Sequence, residues 1–155
     1  MNQAIKKWYL VYTKPRQEQV ARTNLERQHY GVYLPLAQEH KRRRGKPTDV
    51  TAPLFPRYLF IHLDSQTDNW GPIRSTLGVV SLVRFAYQPA QVPDNLIAAL
   101  KEREGPEGIV LVAREVFRRG TRVRINDGKF AGYEGIFFAR SGHDRVVILL
   151  DIMGK

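Results

Sequence analysis

The residues of this chain whose types and spacing indicate chemistry are its cations. The 155 residues include 25 Lys and Arg against 15 Asp and Glu, which gives a net charge of +10 and a pI near 10.1. An excess of this size favours a polyanionic partner, most often nucleic acid. Residues 1–104 carry 16 basic and 9 acidic side chains, so the positive charge lies mainly in the first two thirds. An ordinary solvated basic surface is the alternative interpretation.

The densest group of cations is the run His40–Pro47. A turn centred on Gly45 between two extended arms predicts a β-hairpin with five basic side chains at its tip. These side chains are Lys41, Arg42, Arg43, Arg44 and Lys46. Like charges this close repel one another, so a polyanion near the tip would relieve the repulsion. A mobile, solvated loop tip is the alternative.

Other chemistry has little support in the sequence. There is no cysteine, which excludes a disulfide framework and a thiolate metal site and favours a cytoplasmic location. The four histidines, His29, His40, His62 and His143, have no metal-ligand spacing, and no phosphate-loop or nucleophile-elbow motif occurs. We therefore expect no cofactor, and an enzyme such as a nuclease is the less favoured class. No apolar run approaches the roughly 18 residues that a membrane helix needs.

The aromatic stretch Pro53–Phe60 is the second feature that points to function. Its prolines restrict it to a sheet edge or a strand entrance, and the residues that follow them form a good strand. Alternation along this strand places Tyr58 and Phe60 on one face and Leu59 and Ile61 on the other. Because both faces are apolar, one face is expected to join the core and the other to meet a helix, a second domain or a partner protein.

The elements around these features predict an α+β fold. The order of predicted elements is typical of a βαββαβ-like antiparallel sheet with helices, followed here by one more helix. The predicted strands are Trp8–Tyr12, Val32–Leu36, Thr48–Thr51, Tyr58–Leu63 and Val79–Phe85, and a loop is expected at Gln88–Gln91. The predicted helices are Arg16–Gln28, which Gly31 is expected to stop, Trp70–Leu77 and Pro93–Arg103.

The last third of the chain has a different residue pattern. A linker is predicted over 105–117 because it begins with a Gly-Pro-Glu-Gly run. Short strands between glycines then predict a small β-barrel over 118–155. These strands are Val123–Ile125, Glu134–Ala139 and Val146–Ile152. The chain stops where a further strand would close a barrel, so we expect a truncated barrel or a helical hairpin that needs burial to override its strand propensity.

Five of these segments, taken together, resemble the NusG family of transcription elongation factors. Its N-terminal (NGN) domain is matched by Trp8–Pro15, Pro53–Phe60, Ile73–Val79 and Val83–Phe85, and its KOW motif by Gly120–Gly132. The Val-Arg-Phe run at Val83–Phe85 and the prolines that precede the strand Tyr58–Leu63 resemble the specialised paralogue RfaH more than general NusG. The resemblance implies an NGN domain at 1–104, a linker at 105–117 and a KOW domain at 118–155.

The resemblance implies a factor that is not an enzyme. Such a factor binds the clamp helices of RNA polymerase and the non-template DNA strand, and suppresses pausing and termination in selected operons. The implied polymerase-binding residues are Tyr12, Phe55, Tyr58, Phe60 and Phe85. The implied DNA-binding residues are Lys14, Gln17, Arg27, Gln28, Arg74 and Thr76.

Some positions depart from the RfaH pattern. DNA-facing positions carry Pro15, Val20, Asn24 and Leu77 here, and Asn69–Pro72 replaces the His-Thr-Thr run that contacts the polymerase gate loop. The arginine of an interdomain Glu-to-Arg pair that locks the autoinhibited state is present as Arg145, but Ala52 stands at the glutamate position.

The resemblance also implies partners for the KOW domain, either a ribosomal small-subunit protein or the termination factor Rho. It implies a monomer with no membrane association. The alternative function is a free-standing KOW-type RNA-binding or ribosome-associated module. That alternative predicts tight RNA binding, independent of polymerase, centred on residues 118–155.

Overall fold

The computed structural model of the chain describes residues 5–112 and 133–154. The predicted strand Val123–Ile125 and the whole KOW motif, Gly120–Gly132, lie outside the described residues. The chain divides into two compact units. We call them the sheet unit (Met1–Leu34, Pro56–Asp94 and Met153–Lys155) and the hairpin unit (Pro35–Phe55 and Asn95–Ile152).

The described residues form nine strands and four α-helices. The strands are β1 (Lys6–Thr13), β2 (Gly31–Tyr33), β3 (Leu36–Arg43), β4 (Lys46–Pro53), β5 (Tyr58–Asp64), β6 (Val79–Leu82), β7 (Arg84–Phe85), β8 (Gln88–Pro89) and β9 (Gln91–Val92). The helices are α1 (Glu18–Glu26), α2 (Asp94–Glu102), α3 (Glu134–Phe138) and α4 (Gly142–Met153), with one 3-10 turn at Ile73–Ser75.

The sheet unit is built on an antiparallel sheet in the order β2-β5-β1-β6, with β9 also paired to β1. The β-branched and aromatic residues of β1 and β5 form this sheet because they pack well on a pleated surface. On one face of β1 and β5 the side chains of Tyr9, Val11, Leu59, Ile61 and Leu63 are buried. The α+β architecture and the antiparallel sheet are as the sequence predicts.

Helix α1 shows how local sequence sets the entry and exit of an element. Its apolar Ala21 and Leu25 are fully buried, as one face of an amphipathic helix should be. The helix ends at Glu26, and His29, three residues later, has a left-handed φ of 71° that prevents its continuation. The Tyr30 N–H then donates to the Leu25 carbonyl at 3.3 Å. The predicted stop at Gly31 is therefore wrong by two residues, because a histidine takes the left-handed position.

Three other predicted bounds differ from the structure. The predicted helix Trp70–Leu77 is only the 3-10 turn Ile73–Ser75, because Gly71 and Pro72 disfavour a longer helix at its start. The predicted strand Val32–Leu36 is interrupted before Leu36, and the predicted loop Gln88–Gln91 contributes to β8 and β9.

The hairpin unit contains the predicted hairpin, with β3 and β4 paired as a sheet of two strands. Residues after α2 are tied in by backbone hydrogen bonds, since the Leu111 N–H donates to the Arg103 carbonyl at 2.9 Å and the Val110 N–H to the Leu36 carbonyl at 2.8 Å. The described part of the predicted linker is thus hydrogen-bonded to its own unit. Val110 is also buried.

The strands predicted at Glu134–Ala139 and Val146–Ile152 are wrong, because both segments are helical in α3 and α4. Burial in the tertiary structure explains why these segments are helical despite their strand propensity. Ile136 and Leu149 have no exposed surface, and an added Cβ at Gly135 would lie 3.5 Å from Ile148 Cδ1, so α3 and α4 pack together. This is the helical alternative to the β-barrel.

Candidate protein and nucleic-acid interfaces

The face of the sheet opposite the buried one is lined with aromatic rings. In the β1–β5 register Tyr12 pairs with Tyr58 and Leu10 with Phe60, and in the β2–β5 register Tyr33 pairs with Phe60. Paired residues and every second residue share a face. We call this surface the aromatic face, and its members are Trp8, Tyr12, Tyr33, Tyr58, Phe60 and His62. The predicted alternation of Tyr58 and Phe60 against Leu59 and Ile61 is confirmed.

The rings of the aromatic face pack on one another in pairs. Tyr12 and Tyr58 lie with centroids 5.2 Å apart at an interplanar angle of 46°. The Tyr33 ring lies 6.2 Å from that of Phe60, and the Trp8 ring stacks on His62 at 4.4 Å. Such pairs stabilise beyond the area that they bury. The rings of this face are therefore held in preorganised pairs.

The members of this face differ in accessibility. Phe60 is fully buried, whereas Tyr12, Tyr33 and Tyr58 are half-buried and keep part of each ring at the surface. Burial raises the pKa of Tyr58 above its usual value, and the adjacent Tyr12 raises it further. The Tyr58 hydroxyl therefore stays protonated at neutral pH and is able to donate a hydrogen bond.

Arg57 positions the edge of the aromatic face. Its guanidinium lies over the Tyr12 ring, 4.2 Å from the centroid, and its Nε donates to the Thr13 carbonyl at 3.0 Å. Its backbone N–H donates to Glu18 Oε2 at 2.9 Å, and its φ is 73°. A non-glycine residue in this conformation carries strain that its surroundings must hold. Arg57 thus joins the end of β1 to the starts of α1 and β5.

The residues implied to contact DNA lie just before α1, just after it and around the 3-10 turn. Gln28 Nε2 donates to Thr76 Oγ1 at 2.8 Å, and the Lys14 N–H donates to the Gly78 carbonyl at 2.9 Å. These bonds bring the two segments together. An added Cβ at Gly78 would lie 2.8 Å from the Ala21 backbone nitrogen, which shows how closely the loop approaches the helix.

This shared surface, which we call the α1 surface, combines polar, basic and apolar groups. Its members are Lys14, Gln17, Val20, Arg27, Gln28, Arg74, Thr76 and Leu77. Arg27 and Arg74 are exposed, and Thr76 is buried behind Gln28. Two apolar members are also accessible, since Val20 is 38% and Leu77 65% exposed. The surface therefore combines exposed cations with exposed aliphatic groups.

Comparison with known proteins bears on both surfaces. The sequence model of the NusG family, described as "Transcription termination factor nusG", matches residues 6–101, which is more than half of the chain. The chain belongs to the NusG family. That matched range includes every member of the aromatic face and of the α1 surface.

Individual members of the family match along nearly all of the chain. The "Transcription termination/antitermination protein NusG" of Staphylococcus carnosus is 28% identical over 164 residues, which cover 97% of this chain and 88% of that protein. The protein of the same description from Thermus thermophilus is 28% identical and covers 96% and 90%. A chain in a solved structure, "Domain interaction in Thermotoga maritima NusG", is 22% identical, with a TM-score of 0.48 and coverage of 83% and 77%.

NusG-family proteins are transcription factors and not enzymes. Within residues 5–112 and 133–154 there is no group of three or more His, Asp or Glu side chains that would hold a metal ion. None of the helices in that part of the chain has the length and apolar character to span a membrane.

Two other residues implied by the resemblance are members of neither surface as defined above. Phe85, on β7, is 39% exposed. Phe55 belongs to the hairpin unit and has no exposed surface. Their role in polymerase binding stays a prediction.

Arg145 has a different partner from the one that the resemblance implies. It is only 2% exposed, its Nε donates to the Leu54 carbonyl at 2.8 Å, and its guanidinium forms an ion pair with Glu39. The register pairs Ala52 with Ala37, so the carboxylate comes from the neighbouring strand, two residues further along. Helix α4 is thereby fastened to β3, through Glu39, and to Leu54, which directly follows β4.

Sequence reasoning missed several members of these sites. Trp8, Tyr33 and His62 join the aromatic face only through strand register, although the parity of Trp8 and Tyr12 on β1 is a signal that was available. Arg57 and Glu39 carry no such signal. Their roles follow from turns and pairings that only the folded chain defines.

Proposed function

We propose that this protein is a specialised transcription elongation and antitermination factor of the RfaH type. It binds the clamp helices of RNA polymerase through the aromatic face and the non-template DNA strand through the α1 surface, and it suppresses pausing and termination in selected operons. Membership of the NusG family supports action on transcription.

The observation that carries the polymerase contact is the aromatic face itself. Tyr12 and Tyr58 on this face are only half-buried, and aromatic residues dominate the energetics of protein interfaces. Preformed ring pairs and the Arg57 contact lower the conformational entropy lost on binding. A protein partner therefore fits this face better than solvent does.

The α1 surface suits a single-stranded polyanion. Exposed Arg27, Arg74 and Lys14 supply charge for phosphates. The exposed aliphatic groups of Val20 and Leu77 supply an apolar surface against which an unstacked base can pack. This combination supports a contact with exposed single-stranded DNA.

We further propose that the C-terminal segment is able to adopt two folds. Residues 134–153 contain strand-favouring residues such as Val146, Val147 and Ile148 but are helical in α3 and α4. The Arg145 contacts with Glu39 and Leu54 support the helical state. In the second state this segment would join the KOW domain at 118–155, after an NGN domain at 1–104 and a linker at 105–117, and would recruit a ribosomal protein or Rho.

Transcription by purified RNA polymerase tests the proposal. We expect the wild-type protein to shorten pauses and Tyr58→Ala to lose this effect, while Tyr87→Ala, on a residue that is 93% exposed outside the aromatic face, keeps it. Arg27→Ala and Lys14→Ala should weaken recruitment to complexes that carry exposed non-template DNA and flatten its salt dependence. Tight binding to RNA without polymerase, together with no effect on pausing, would favour the KOW-type RNA-binding alternative.

A further inference from the structure

The hairpin of β3 and β4 forms a narrow arm of two strands. Its residues pair continuously from Leu36 with Pro53 to Arg43 with Lys46, and the two strands form a sheet of their own. Arg44, with a φ of 53°, and Gly45, with a φ of 77°, close the turn. Two consecutive left-handed residues are typical of the tight turn whose twist matches the strands. We call the arm from Lys41 to Thr48 the basic ribbon.

The base of this arm is anchored within its own unit. The Leu54 N–H donates to the Pro35 carbonyl at 2.8 Å, and the Val110 N–H donates to the Leu36 carbonyl. Ala37 is fully buried, whereas every residue from Lys41 to Pro47 is exposed. The basic ribbon is therefore presented from a fixed base.

The ladder distributes the five cations over both sides of the ribbon. Paired and alternate residues share a side, so Lys41, Arg43 and Lys46 lie on one side and Arg42 lies on the other beside Pro47. Arg44 occupies the turn. Residues 41–48 contain no carboxylate, and Asp49, just below, pairs with His40.

The last rung of the ladder is unfavourable without a ligand. Arg43 stands directly opposite Lys46, and like charges in a cross-strand pair destabilise a hairpin. A local rule broken at an exposed tip, with no acid among residues 41–48 to compensate, points to a function for the charge. Phosphates on both sides of the ribbon would remove the repulsion.

The dimensions of the basic ribbon indicate which kind of polyanion it fits. From the His40–Asp49 rung to the turn the ribbon extends four residues, or about 13 Å at roughly 3.3 Å per residue. The major groove of B-form DNA is about 12 Å wide and 8.5 Å deep and admits a ribbon of two strands. The major groove of A-form RNA is deep and too narrow for side chains to read.

We propose that the basic ribbon is a binding site for double-stranded DNA, with its tip in the major groove. Cations on its two sides contact the phosphates that flank the groove, and Arg44 at the turn reaches base edges. This site is separate from the single-strand contact proposed for the α1 surface, and it uses none of the aromatic residues proposed to bind polymerase.

Fluorescence anisotropy of the full chain with a labelled 20-base-pair DNA duplex tests this proposal. The double variant Arg42→Gln with Arg43→Gln should bind the duplex at least about 10-fold more weakly at a salt concentration near 0.1 M. The slope of log affinity against log salt should fall by about 2, at roughly 0.9 per phosphate contact. The variant should bind RNA polymerase as the wild type does, which separates this site from the proposed function.

The matched control is Lys6→Gln with Lys7→Gln, which removes the same charge from exposed positions on β1. It should keep duplex affinity within about 2-fold. Equal losses in the two double variants would overturn the proposal, because net charge alone would explain them. A double-stranded RNA of the same sequence that binds as tightly as the DNA would also overturn it, as would a loss confined to single-stranded DNA.

Discussion

Replacing Glu39 by glutamine removes the charge that faces Arg145 and leaves the size of the side chain nearly unchanged. Arg145 is 2% exposed, and its hydrogen bond to the Leu54 carbonyl satisfies only part of its guanidinium. The Glu39 side chain is 21% exposed at the other end of the pair. The substitution therefore leaves a buried cation without its carboxylate, and α4 loses the ion pair that links it to β3.

The expected cost is about 2 kcal/mol. Breaking a fully buried pair costs about 3–5 kcal/mol. The cost here is below that range, because Glu39 is partly solvated and glutamine keeps an acceptor oxygen. The three adjacent β-branched residues from Val146 to Ile148 already cost α4 about 1.5 kcal/mol in helix propensity relative to alanine. A loss of 2 kcal/mol shifts the equilibrium of the helical state with any other state about 30-fold.

Far-ultraviolet circular dichroism of the full chain measures this shift. We expect Glu39→Gln to lose helical signal near 222 nm or to lose it at a lower temperature than the wild type. Glu107→Gln makes the same change of charge at an exposed position of the hairpin unit and should behave as the wild type does. Identical helical signal and identical melting in the Glu39 variant would refute the assignment of this pair to the stability of α4.

Two further predictions concern the sheet unit. The backbone N–H of Gln66 donates to the Asp64 carboxylate and holds the pKa of that carboxyl below its usual value. The ionised Asp64 carboxylate therefore stabilises the fold above a pH of about 4, and this stabilisation is lost as the pH falls through the lower folded pKa. Denaturant titrations between about pH 2 and 6 should show a weaker pH dependence for Asp64→Asn, and an unchanged slope would contradict this. Gly78→Ala should cost about 2–4 kcal/mol, because it adds a contact with Ala21 to the strain of a φ of 88°. Gly45→Ala, at a φ of 77° with no atom near the added methyl, should cost only about 1–2 kcal/mol, and equal melting temperatures for the two variants would exclude the steric argument.

Much of the sheet unit and the β3–β4 hairpin are predictable from sequence because their signals are local. The apolar runs of β1 and β5 and the turn at Gly45 each specify an element without help from distant residues. The helices α3 and α4 are not predictable in this way. Their strand propensity is overridden by burial of Ile136 and Leu149 and by the contacts of Arg145 with Glu39 and Leu54, which are far away in the chain.

The candidate sites divide in the same way. The parity of Tyr58 and Phe60 is enough to predict an aromatic face on β5, because side chains alternate along any strand. Register adds Tyr33, and a left-handed turn adds Arg57 over Tyr12; neither contact follows from local sequence.

Direct binding of RNA polymerase tests the central claim, that the aromatic face is the polymerase contact. Titration of labelled full-length protein with purified core enzyme, followed by anisotropy, should give an affinity that Tyr58→Ala weakens by about 1–3 kcal/mol, or roughly 5- to 150-fold. Tyr87→Ala, which removes the same side chain from a fully solvated position, should leave the affinity unchanged. Equal affinities for the wild type and Tyr58→Ala, with the variant folded by circular dichroism, would contradict the claim.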